Sequence, residues 1–158
     1  MHLAAVAGSH VGGGNSEREL EFCSYCGQLG AGRGRVCGTC GLGVRLVTQP
    51  NVLRRDGAAF LIVKADGRVS AVSAAAERTL GPGTELIGRP VLALFAPAGA
   101  ADLARAVALT AVGSGGPFEL TVEPIQGGDP ARQLHATVAT CGDPRAALVV
   151  LEKRPATP

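Results

Sequence analysis

Four of the five cysteines fall within residues 23–40, as Cys23-x-x-Cys26 and Cys37-x-x-Cys40. A Cys-x-x-Cys turn aims two sulfurs at one point, and two such turns supply the four thiolates of a closed tetrahedral metal site. Each turn is followed by glycine, in Cys26-Gly27 and Cys40-Gly41. A residue free to take positive φ lets the chain curl so that backbone N–H groups reach the sulfurs. Around the cysteines the larger apolar residues are only Phe22, Tyr25, Leu29, Val36, Leu42 and Val44. Too few to build a core alone, they need the roughly 10–16 kcal/mol that metal binding contributes in small zinc peptides. The spacing makes one structural Zn²⁺ the expected ion. Iron, as a rubredoxin-type centre or a cluster, and a pair of disulfides are the alternatives. Disulfides require an oxidising compartment, and Met1 to Gly14 lacks the basic and apolar regions of a secretory signal. A thioredoxin-like dithiol needs a single Cys-x-x-Cys in a βαβ setting, which is absent. Four sulfurs leave no position for a water, so a catalytic metal is not expected.

Net charge is +2, but its distribution is uneven. Residues 22–55 carry Arg33, Arg35, Arg45, Arg54 and Arg55 with no acid. Four thiolates on Zn²⁺ bear a formal charge of about −2, so the arginines have a local reason to be there. The alternative is that Arg33, Arg35 and Arg45 contact nucleic-acid phosphates or an acidic protein face. No aromatic residue interleaves them, which favours the first reading.

Along the chain, residues 1–19 lack any period and are expected to be a disordered leader. The four-cysteine module takes residues 20–46, and residues 47–56, with Pro50 and Asn51, read as a linker. A second region spans 57–153, followed by a tail at 154–158. Large aromatics are scarce (four Phe, one Tyr and no Trp), so its core must rest on Val, Leu and Ile. Phe60–Ala65 and Val69–Val72 flank Asp66-Gly67, a strong hairpin signal. Ser73 stands as N-cap before a short helix through Leu80, ended by Gly81-Pro82-Gly83. One or two helical turns broken at Pro90 follow between Glu85 and Phe95. Ala100–Val112 is a helix with Leu103, Ala106, Val107 and Thr110 on one stripe. Phe118–Glu123 and Leu134–Val138 alternate, so each buries one face. Ala146–Leu151 is apolar throughout, as a central strand covered on both faces would be. The expected fold class is α+β, a five-stranded antiparallel sheet with helices on one face, preceded by the cysteine module.

Residues 23–42 resemble a zinc ribbon with rubredoxin-like knuckles. The second region resembles a PAS domain over about residues 57–153. The resemblance is carried by Phe60–Val69, by Val72–Gly81 followed by Glu85-Leu86-Ile87-Gly88-Arg89-Pro90-Val91, and by the closing strand through Ala147–Leu151. Ser73 stands where such sequences often place Asn, and both residues cap helices. The resemblance implies a sensory or protein-interaction module with a small pocket between sheet and helices, and a homodimer through the sheet. It implies neither haem nor flavin. Ala100–Val112 offers no His, and Leu86–Phe95 offers no Cys, in the places where those cofactors are held.

Outside the cysteine module the chemistry is sparse. His135 is the single His after residue 10, and no Ser-His-Asp set or paired-acid site can be assembled. Cys141, before the turn Gly142-Asp143-Pro144, reads as a structural thiol, and the hydroxyls of Ser70, Ser73, Thr121 and Thr137 are possible pocket groups. The residues that line a ligand pocket are not identifiable. The expectation is a cytoplasmic, non-enzymatic regulatory protein that acts through a protein partner in trans, with room for a small-molecule ligand and no membrane span. The alternatives are a nucleic-acid-binding regulator that reads with the arginine-bearing ribbon, and a sensor whose metal thiolates oxidise.

Overall fold

The computed structural model describes residues 19–30, 32–125, 133–142 and 144–154. The leader expected at 1–19 and the tail at 154–158 lie outside these residues apart from Glu19 and Arg154. Seven strands form one antiparallel sheet: β1 (Leu20–Cys23), β2 (Arg45–Thr48), β3 (Ala59–Val63), β4 (Val69–Val72), β5 (Phe118–Val122), β6 (Leu134–Cys141) and β7 (Ala146–Lys153). Between β4 and β5 lie α1 (Ala74–Leu80), α2 (Gly83–Leu86), a 3₁₀ turn at Val91–Leu94 and α3 (Ala100–Ala111).

The expectation of five strands is corrected by the cysteine module. Strands β3 to β7 run in the order β4-β3-β7-β6-β5, and the module adds β1 and β2 to the same sheet. β6 makes the junction. Its residues Leu134–Val138 pair with β5, and beyond the end of β5 its Cys141 pairs with Thr48 of β2. Thr48 Oγ1 donates to Thr140 O at 2.9 Å, and Gly142 N donates to Val47 O at 2.9 Å, which closes the ladder.

Local chemistry explains the elements. Gly67 takes φ 80° in the β3–β4 turn, and Asp66 Oδ1 accepts from Arg68 N at 3.0 Å. Ser73 caps α1, its Oγ accepting from Ala76 N at 3.2 Å. The same Oγ accepts from Phe60 N at 2.9 Å and donates to Ala58 O at 3.0 Å, so the cap also ties the helix to β3. In α3 the expected stripe of Leu103, Ala106, Val107 and Thr110 is buried.

The sheet separates two cores. On the helix side Leu61 and Val63 of β3 and Ala147, Val149 and Leu151 of β7 pack with Leu80, Leu86, Phe95, Leu103 and Val107. Alternation sends Phe60, Ile62, Leu148 and Val150 to the opposite face, where they meet Phe22, Val52, Leu53, Ala58, Ala139 and Cys141. Both faces of β3 and β7 are therefore buried, which is why these strands are apolar throughout. The stretch read as a linker supplies Val52 and Leu53 to this outer core. Farther along the outer face the lining turns polar, with His135 of β6 paired to Thr121 and Glu152.

Candidate metal centre

Each knuckle is a small hairpin. β1 ends at Cys23, the chain turns through Ser24-Tyr25-Cys26, and Gly27 N donates to Cys23 O at 3.2 Å. In the second knuckle Gly41 N donates to Cys37 O at 2.9 Å. Gly27 and Gly41 have φ 71° and 68°, as the cysteine–glycine pattern predicts. Ser24 ties the knuckles together: its N–H donates to Val44 O at 2.9 Å, and its Oγ accepts from Val44 N at 3.0 Å.

The four sulfurs of Cys23, Cys26, Cys37 and Cys40 lie within 4.8 Å of one another. Cys23 Sγ is 3.7 Å from Cys40 Sγ, and Cys26 Sγ is 3.8 Å from Cys37 Sγ. A tetrahedron with metal–sulfur bonds of about 2.3 Å has edges of about 3.8 Å, so these pairs already stand at ligand spacing. Backbone N–H groups complete the surroundings. Tyr25 N donates to Cys23 Sγ at 3.4 Å, and Leu42 N donates to Cys40 Sγ at 3.4 Å. The donor set fits a metal ion that takes four thiolates.

Backbone hydrogen bonds and burial split the thiols. The backbone N–H groups of Leu42 and Gly43 pull Cys40 down to about 6. Those of Cys40 and Thr39 lower Cys37. Cys26 is pushed up to about 12, by burial first and also by the neighbouring sulfurs. A metal that binds all four thiolates must displace the proton that Cys26 holds.

The structure adds residues with little sequence signal. Gly43 sits against the cluster, where a Cβ would run into Cys23 Sγ and lie 2.8 Å from Tyr25 N. Asp56 Oδ1 accepts from Leu29 N at 2.7 Å, and Gly57 N donates to Gly27 O at 3.3 Å. Tyr25 O accepts from Ala74 N, the first residue of α1, at 2.8 Å. The first knuckle is thus fastened to the sheet and to a helix start. Among the three arginines marked for a partner, Arg33 and Arg35 are exposed. Arg45 turns into the module: Nη1 donates to Gly30 O at 2.9 Å and lies 3.7 Å from Glu21 Oε2.

The remaining groups noted in the sequence do not gather. Cys141 is buried in the outer core, and burial pushes its thiol up to about 12. His135 Nε2 lies 3.8 Å from Glu119 Oε1 at the surface. Ser70 Oγ donates to Ile62 O at 3.2 Å, and Ser73 is taken up by its cap. Between the helical segment and the chain just after β5, Leu80, Leu86, Ala93, Leu94, Pro124 and Ile125 help line a cavity of about 60 Å³, and a groove of about 290 Å³ lies between α3 and β5. A wider cleft of about 420 Å³ opens beside Arg78, Thr79, Gln133, Leu134, Lys153 and Arg154. Among the described residues no helix is long and apolar enough to cross a membrane.

No protein-family model matches the chain, and no curated protein matches it. Among solved structures it is similar to the sensor region of a sensor histidine kinase, with 20% identity and a TM-score of 0.45. That match covers 61% of this chain, which spans 38% of the other.

Proposed function

We propose that the chain is a non-enzymatic, cytoplasmic regulatory protein in which a PAS-type module, stiffened by a structural zinc ribbon, binds a protein partner in trans. The observation that carries the reading is the pair of cores on one sheet. Five antiparallel strands, β3 to β7, hold their helices on one face, the arrangement that the PAS resemblance implies. The cysteine module covers part of the other face, around Phe60.

Cys23, Cys26, Cys37 and Cys40 would hold the zinc. The ion supplies cross-linking of the two knuckles, with no open position for chemistry. The backbone N–H groups of Tyr25 and Leu42 reach two of the sulfurs and offset part of the thiolate charge. A closed four-sulfur set takes zinc or iron alike; zinc is the ion proposed, and with no open position it acts on folding. The outer sheet face near Phe60 is occupied by the cysteine module, so a partner, whether a second copy or another protein, must use a different surface.

Elemental analysis and an absorption spectrum of the purified chain test the reading. One zinc per chain without a visible band supports it. Iron at the four sulfurs, or a Soret or flavin band, overturns it.

A further inference from the structure

The two knuckles are built alike but end differently. Each has an antiparallel bridge that starts from the residue before its first cysteine, Phe22 with Leu29 and Val36 with Val44. In the first knuckle the pair is covered, Phe22 fully buried and Leu29 packed against the outer core. In the second the pair is bare. Val36 is 55% exposed, Val44 48% and Leu42 73%. Single exposed apolar residues are ordinary, but three on one small hairpin make a patch.

Its border is positive. Arg33 and Arg35 lead into Val36, both are exposed, and neither has an acidic partner among the described residues. No acid occurs between residues 22 and 55.

We propose that the second knuckle is the docking surface for the protein partner, and that it takes a segment both acidic and aliphatic. Aliphatic side chains of the segment cover Val36, Leu42 and Val44, as the sheet covers Phe22 in the first knuckle. Its carboxylates meet Arg33 and Arg35. The inference rests on the partner-binding reading above and names the surface that reading needs. Nucleic acid fits less well, because no aromatic residue lies between 26 and 59 to stack on a base. A second copy of the chain docking patch to patch would oppose like charges.

The test selects displayed random peptides against the metal-loaded full chain, then measures the enriched peptides as synthetic probes. Enrichment of acidic, aliphatic peptides is expected. Their affinity should fall about tenfold or more in a Val36→Ser/Leu42→Ser variant. Arg33→Glu/Arg35→Glu should weaken them by a similar factor and flatten the salt dependence. Unchanged metal content in both variants shows that the knuckles still fold. Enriched peptides that bind both variants as well as the native chain overturn the surface and leave a protein-interaction role standing. Failure to enrich any peptide overturns both. Tighter binding of a thymidine oligonucleotide than of any peptide, lost in Arg33→Glu/Arg35→Glu, overturns the choice of partner.

Discussion

The rings of Phe22 and Phe60 meet edge to face, with centroids 5.3 Å apart and planes at 88°. One belongs to the strand that ends in a metal-site cysteine, the other to a strand whose opposite face lines the helix-side core. This contact joins the cysteine module to the sheet.

Replacing Phe22 with Ala should therefore cost about 3–5 kcal/mol, as for other fully buried Phe side chains. Chemical denaturation of the metal-loaded chain measures the loss. A change below about 1 kcal/mol would show that the module does not depend on this packing.

Two glycines of the second knuckle offer a matched pair. Gly43→Ala drives a Cβ into Cys23 Sγ, so it should weaken metal binding at least tenfold. Gly38→Ala meets nothing within 4 Å and should leave affinity within about twofold. Competition against a chromogenic chelator reads both. Equal affinities for the two variants would refute the crowding argument.

Acid should release the metal. Cys40 is depressed to about 6 and Cys37 is also lowered. A lowered thiol contributes stability that is present above its unfolded pKa and lost as pH falls through the folded value. Apparent metal affinity should thus decline as pH falls and drop more steeply below about 6, where Cys40 also takes up a proton. Affinity that stays flat between pH 7 and 5 would contradict this.

Thiol reagents should separate two of the cysteines. Without metal, Cys40, half-buried and lowered to about 6, should react first, while Cys141, buried and pushed up to about 12, waits for unfolding. Mass spectrometry after timed alkylation tells them apart. Early labelling of Cys141 would show that the outer core opens more easily than its burial implies.

Much of this structure is legible residue by residue because the signals are local. Cys-x-x-Cys-Gly fixes each knuckle within five residues, Asp66-Gly67 marks its hairpin, and Ser73 announces α1. The apolar run Ala146–Leu151 foretells a strand covered on both faces, but not by what. What covers the outer face is set by pairing across the chain, Thr48 with Cys141, in strands of four residues whose sequences carry no clear alternation. Such short strands are fixed by what they pack on, and a reading of local period sees only loop. Phe22 likewise looks like one apolar residue in a glycine-rich module until Phe60 is placed beneath it. Arg45 reads like its exposed neighbours, yet its register opposite Cys23 turns it inward.

The shared outer core makes metal supply a matter of protein quality control. A chain whose four cysteines hold no metal would have a less firmly fixed module over Phe60, Ile62, Leu148 and Val150, which lie on adjacent strands. Apolar strand faces of that kind, once exposed, invite aggregation and capture by chaperones or proteases. Cells starved of the ion would then hold less of the protein itself, and not merely an undocked form of it.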